Sequence, residues 1–469
     1  MELLKTGYMG TLSLGWDNYL FLELTGRQER SSTLKDQSFF YPSANLSFLF
    51  TQAFHMPSWW NYGKLRLSYG IVGNAPETYT ANIVYEQGSD NGFTWNTIPS
   101  SWGNADIRPE KKYEYEIGLE SKFLNNRLGI DVSYYNNRVK DQILSTPQPS
   151  TSGVKNVLMN VGEVANHGWD ISISATPILT RDFRWDLTAN YGVYKNKVVK
   201  LADGVPYLEI LNSGGSGIKI QAVEGQPMGD IYAQVPQVNE NGEYLVSDKG
   251  LYLNQTELQK VGNINPAGVG GLFNSFSYKN VFLDFSIDFR IGGDVINEMN
   301  QYATAVGLTP ESLKYRDTEH GGLSYYYPGD NNSSGIPVQV DPSTGAGPNG
   351  EIIYHDGIIL PGVVASTGER NTRIIPAGYY YNTTYNWGTE AEQLTYRHSV
   401  FDNSYVKLRE LTIGYQFPEK MISKLGLGRL SVSVFGRNLF YFYKALKNYD
   451  AESSVGTSWA NQATVGSST

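Results

Sequence analysis

The chain has no cysteine, and its five histidines, His55, His167, His320, His355 and His398, lie far apart in 469 residues. The first absence rules out disulfides, thiolate metal centres and a cysteine nucleophile, and the scattered histidines offer no metal-ligand spacing. No stretch of about 18 apolar residues occurs, so no transmembrane helix is expected. Positive charge is also short. The net charge is −9 and the pI is near 5.2, which argues against nucleic acid as the main partner. Met1 to Gly7 has neither the apolar core nor the cleavage site of a secretory signal. No nucleophile–base spacing or nucleotide fingerprint is present either. Catalysis is therefore not expected, and no cofactor is implied.

What the chain does have is aromatic residues and glycine: 34 Tyr, 19 Phe, 9 Trp and 49 Gly. That mixture suits strands, turns and aromatic girdles. The clearest strand pair lies between Gly270 and Gly292. Val281, Leu283, Phe285, Ile287, Phe289 and Ile291 alternate with Asp284, Ser286, Asp288 and Arg290. Successive side chains on a strand point to opposite faces, so one face is apolar and the other polar. Lys279-Asn280 is the turn, and Leu272 to Tyr278 the partner strand. About ten residues at ~3.3 Å rise, tilted, cover roughly 25 Å, the height of an outer-membrane apolar band.

The same period recurs along about twelve strands, including Tyr8 to Trp16, Tyr19 to Arg30, Pro42 to Phe54, Lys64 to Val72 and Val406 to Phe417. In the last of these the apolar phase shifts at Arg409-Glu410, which predicts a bulge. Connections alternate in length: short near 17–18, 55–63, 125–126, 177–183, 279–280 and 418–428; long near 31–41, 73–112, 139–167, 195–269, 292–405 and from 443. Short turns at one rim and long loops at the other predict an all-β, transmembrane antiparallel β-barrel with short periplasmic turns and long extracellular loops. A mean hydropathy of −0.35 fits a barrel with a polar lumen as well as a soluble protein. On this reading Val281, Leu283, Phe285, Ile287 and Phe289 face lipid, and Asp284, Asp288 and Arg290 face the lumen.

The long loops hold the candidate contact residues: Trp95, Trp102, Tyr325, Tyr326, Tyr327, Tyr380, Tyr381 and Trp387. Aromatics beside amides and hydroxyls can stack on sugar rings or grip peptide side chains, and they can equally pack the loops together. The carboxylate pairs Glu114/Glu116 and Asp284/Asp288 read as lumen lining. Asp330, Asn332 and Ser334, alternating before Gly335, imitate a calcium loop, but the closing position is the short Asp341 and neither flank reads as a helix, so a solvated turn is expected. Gly292-Gly293 and Gly214, Gly215 and Gly217 read as turns, with no helix pattern following either cluster.

Several segments, in order, resemble a known family: Leu65 to Asn74, Arg108 to Leu119, Asn126 to Tyr135, Asn160 to Gly168, Gly262-Asn-Ile-Asn-Pro266, Asp402 to Leu411 and Gly436 to Phe440. Together the chain resembles the C-terminal half of a SusC-like (RagA-like) TonB-dependent outer-membrane transporter of Bacteroidetes-type bacteria. The resemblance implies a 22-stranded barrel closed by an N-terminal plug, a SusD-like surface lipoprotein as lid, energy from TonB, and an oligosaccharide or peptide as cargo. The whole chain, 1–469, is then partial barrel, expected to lack the signal peptide, plug and final strand. Twelve strands with two open edges cannot sit stably in lipid, so further strands are expected. A non-transporting surface or adhesion barrel is the alternative. Ala267-Gly268 stand where relatives commonly carry an acidic and then an aromatic residue.

Overall fold

In a computed structural model, residues 3–34, 38–78, 80, 82, 85–99, 101–147, 151, 153–154, 156–213, 217–329, 335–386 and 395–452 are described. Twelve strands follow one another as an antiparallel meander: β1 (Lys5–Trp16), β2 (Leu20–Ser31), β3 (Ser38–Phe48), β4 (Trp60–Asn74), β5 (Glu110–Phe123) and β6 (Leu128–Pro147), then β7 (Asn156–Leu179), β8 (Phe183–Lys200), β9 (Gly268–Tyr278), β10 (Val281–Ile291), β11 (Tyr405–Gln416) and β12 (Ser431–Lys444). A two-residue strand, Ser101–Trp102, adds parallel to the start of β7. Among the described residues the outer edges of β1 and β12 have no strand partner.

One line of register partners crosses all twelve strands: Trp16, Leu20, Phe48, Leu65, Leu119, Val132, Ile171, Tyr191, Gly270, Phe289, Val406 and Tyr443. Every member is apolar or aromatic except Gly270, so the period-2 pattern of each strand is in phase with its neighbours. The line starts at the turn end of β1 and leaves near the loop end of β12. That climb is the stagger of tilted barrel strands. The turns match the sequence: Asp17 and Asn18 (φ 47° and 58°), Asn125 and Asn126 (57° and 61°) and Lys279 (53°) all take the left-handed backbone that tight hairpins need.

The bulge at Arg409 is present. Ser286 pairs with Glu410 and Ile287 with Leu408, leaving Arg409 as the extra residue. The inserted residue lets Arg409 join Lys407 and Glu410 on the polar side before the apolar phase resumes at Leu411.

Three expectations are corrected. The third strand does not run to Phe54: it stops at Phe48, and Phe50–Ala53 is a helical turn. Phe50 leaves the strand to lie over Gly63, where a Cβ would sit 2.2 Å from its ring, and to meet Trp60 edge-on at 5.3 Å. The connections at 31–41 and 139–167 shrink to residues 32–37 and 148–155, because β2, β3, β6 and β7 continue past the apolar stretch. There the ladder persists while both faces turn polar, as where Asn166 donates to Asn137 at 2.8 Å, so the alternation that marks a strand disappears. A helix, Glu298–Ala305, does follow Gly292-Gly293, with the Asn297 side chain accepting from Asn300 N at 2.9 Å. That cap satisfies the helix start from within the chain.

The connections 201–267 and 292–404 fold into a body at the loop rim. A four-stranded sheet (Tyr207–Ser213, Ile218–Val223, Asp230–Ala233, Gln259–Asn263) buries Ile218, Ile220, Ile231 and Ala233 against Ile296, Tyr396 and Val400. The two connections interlock where Leu245 and Val246 pair in parallel with Val363 and Val364.

Candidate functional site: a polar wall beneath a folded loop body

On β10 the residues Val281, Leu283, Phe285, Ile287 and Phe289 share one face and Asp284, Ser286, Asp288 and Arg290 the other. The polar face continues across the sheet. Arg66 of β4 donates to Asp131 at 3.0 and 2.6 Å and to Ser133 at 3.1 Å, both on β6. It reaches them across β5 at Gly118, where a Cβ would stand 2.8 Å from the Arg66 Nη2. The absent side chain leaves room for the guanidinium to cross, and a Cβ there would make it shift. An open cavity of 810 Å³ lies on this face, lined by Arg66, Asp131, Asp170, Asn190, Asp288 and Arg290 among others. Alternating charges with hydroxyls and amides make a wet, hydrogen-bonding surface.

At the far end, residues beyond β12 fold back over it. Arg409 donates to Asp288 at 2.5 Å and grips Glu452 through both its terminal nitrogens. Lys407 reaches the same carboxylate at 2.5 Å and Tyr405 donates to it at 3.2 Å. Arg409 first, with Lys407 behind it, holds the Glu452 carboxyl down at about 2.

The segment Gly262-Asn-Ile-Asn-Pro266 proves to be the elbow between the loop body and the rim. Asn263 donates from its side chain to the fully buried Asp230 at 2.7 Å and from its backbone to Asp294 at 2.9 Å. Asn265 donates to Met228 O at 2.5 Å, and Arg290 at the top of β10 holds Ile264 O at 3.0 Å. Lys260 meets Asp230 at 2.7 Å, so the buried carboxylate is paired as well as hydrogen-bonded. Asn263→Ala is expected to cost about 1–3 kcal/mol by leaving Asp230 short of a donor. Faster proteolysis of residues 207–263, with unchanged heat stability of the barrel, is the result to look for; equal proteolysis rates would remove the clamp role.

The loop aromatics divide. Tyr325 is 1% exposed and donates to Asp356 at 3.1 Å. Tyr327 and Tyr381 are also buried, and the Tyr381 hydroxyl donates to Glu311 O at 2.7 Å. These three are spent on packing, which corrects their place among ligand contacts: a side chain closed off inside the loop body cannot meet a cargo. Tyr326 and Tyr380 are half-buried. Trp95 stands 48% exposed on the hairpin Glu86–Asp90 and Phe93–Thr97. Trp102 is half-buried beside β7, and its indole N–H has no acceptor among the described residues. Trp387 and the Asp330-Asn332-Ser334 run lie outside the described residues.

Sequence reading missed His398, which stacks on Tyr385 with ring centres 4.3 Å apart. Burial pushes its pKa down to about 4, with the Arg397 charge adding to the effect. The unfolded chain therefore takes up a proton near 6.5 while the folded one resists until about 4. The stabilisation is present above pH 6.5 and is lost as the pH falls through that window, on the order of 2 kcal/mol given the ring's partial exposure. Hydrogen-exchange protection factors in the loop body, taken relative to the intrinsic rate at each pH, should fall between pH 7 and 5, and His398→Phe should flatten that response. An unchanged response in the variant would assign the pH effect elsewhere.

Residues 5–231 match the family described as TonB dependent receptor-like, beta-barrel. The chain is 24% identical over 417 residues to TonB-dependent receptor P3 of Formosa agariphila, covering 81% of this chain and 35% of that protein. It is 30% identical over 247 residues to TonB-dependent receptor SusC of Bacteroides thetaiotaomicron, covering 48% and 24% respectively. The structure of the RagAB peptide transporter superposes with a TM-score of 0.69 at 19% identity, over 98% of this chain and 46% of that one. At that identity the likeness is one of fold. The chain spans between 24% and 36% of the length of the curated relatives it matches.

Proposed function

We propose that this chain is barrel wall of a TonB-dependent receptor of the outer membrane, similar to SusC, and that it serves the import of a large nutrient, an oligosaccharide or a peptide. The observation that carries this reading is the register line with its two faces. A continuous apolar face suits lipid, and the polar face, bridged by Arg66 over Gly118, suits a water-filled passage. Accordingly Val281, Leu283, Phe285, Ile287 and Phe289 are assigned to lipid, and Asp284, Asp288 and Arg290 to the lumen. On this reading the outer edges of β1 and β12 need strand partners, because an open edge in lipid leaves backbone groups unpaired.

In this reading TonB supplies the energy and a SusD-like surface lipoprotein closes over the loop body. Trp95, Trp102, Tyr326 and Tyr380 remain as contacts for cargo or lid. No covalent step belongs to this reading: cargo binds above the wall, passes it and is released.

Growth separates import from adhesion. A strain lacking the gene should fail on one oligosaccharide or peptide source from a defined panel, and the intact gene should restore it. Unimpaired growth across the panel, with loss of surface attachment instead, would replace import by adhesion.

A further inference from the structure

On the apolar side of β5 to β8 the lipid-type surface ends abruptly. From Phe183 to Val193, β8 spans ten rises of ~3.3 Å, roughly 25 Å once tilted, one apolar band. Its upper row is Ile117, Tyr134, Trp169 and Val193, with Tyr134 and Trp169 rings 4.9 Å apart and Trp169 47% exposed. One step toward the loop rim, on the same face, the row reads Tyr115, Asn136, His167, Lys195. A further step gives Tyr113, Arg138, Ala165 and Lys197, and then Lys111 beside Lys140.

The opposite face at this height is occupied by a separate network, Asn166 to Asn137 at 2.8 Å and Asn137 to Glu114 at 3.1 Å. The cations therefore point outward, with the apolar residues below them. Arg138, Lys140, Lys195 and Lys197 are all exposed. Nearby carboxylates are taken: Glu163 by Arg138 at 3.2 Å and Asp141 by Arg108 at 3.0 Å. Lys140 sits 5.8 Å over the Tyr113 ring, and neither Lys195 nor Lys197 has an ion-pair partner among the described residues. In a chain of net charge −9 this local excess of positive charge is selective.

We propose that this surface binds the phosphate groups of the outer leaflet's phosphorylated glycolipid, with acyl chains lying on the Tyr134–Trp169 row below. Lipid sets both the height and the sign of charge. Aromatic rings mark the headgroup boundary, and cations a step above them meet phosphates, Lys195 and Lys197 as unpaired point charges and Arg138 with the donors that its contact to Glu163 leaves over. The proposal rests on the lipid-facing assignment, which the Phe285→Arg variant described below tests separately.

The intact receptor, purified and delipidated in non-ionic detergent, is titrated with lipid A and with the same lipid A after enzymatic dephosphorylation. Wild type should prefer the phosphorylated form by about ten-fold, and Arg138→Gln/Lys195→Gln/Lys197→Gln should lose that preference while keeping its heat-resistant mobility. Lys197→Glu alone should lower it if the triple variant assembles poorly. Equal preference in wild type and variants would overturn the proposal. So would displacement of lipid A by millimolar inorganic phosphate, which would make the patch a site for free anions.

Discussion

Phe285→Arg is expected to cost about 2–4 kcal/mol of barrel stability, the penalty for a cation on the lipid side near mid-membrane. Phe285 sits mid-strand and stacks on Phe276 at 6.0 Å, which in turn stacks on Trp185 at 5.5 Å. The substitution thus removes an aromatic contact and places a guanidinium on the face assigned to lipid. Leu283→Arg, two residues toward the turn, should behave similarly. Ser286→Arg, on the opposite face, should be mild by comparison because that face already carries Asp284, Asp288 and Arg290. Heat-modifiable mobility and membrane assembly measure all three. Unchanged behaviour of both Phe285→Arg and Leu283→Arg would reverse the face assignment.

Ile231→Ala should cost the loop body about 2–5 kcal/mol, the usual penalty for emptying part of a closed core. Ile231 is fully buried together with Ile218 and Ile220, and its neighbours Ile296 and Val400 belong to the other long connection. The cavity would therefore loosen two loops at once. Because the barrel ladder does not depend on that core, the damage should stay local. Limited proteolysis should cut within residues 207–263 while the heat-resistant barrel persists, and uptake of the cargo should fall. A parallel loss of barrel stability would mean that the two parts fold as one unit.

The contrast between these two sites explains what could be read from the residues. In the apolar band each strand must alternate, so Val281 to Ile291 announced its faces and even the bulge at Arg409 was visible as a slip of phase. The turns Asp17-Asn18 and Lys279-Asn280 were visible for a similar reason, since few residues tolerate their backbone. Above the band that constraint lapses. The extensions of β6 and β7 carry no alternation, and Phe50 imitated the strand phase while turning away to cover Gly63.

The loop body was opaque for a different reason. Tyr325, Tyr381 and Trp95 have the same chemistry in the sequence, and only long-range packing separates the buried pair from the exposed ring. The Gly262 to Pro266 segment was recognisable as a motif but not as a clamp, because Asp230, Asn263, Asp294 and Arg290 meet only after three separate segments converge. The sequence by itself determined the twelve strands, their two faces and the short turns, since each follows from local alternation of apolar and polar residues or from backbone preference. Tertiary structure alone decided how those faces line up into one tilted register, which loop aromatics stay accessible, and that Arg138, Lys195 and Lys197 gather on one face of the sheet. Strands distant in sequence set those positions, and no local pattern encodes them.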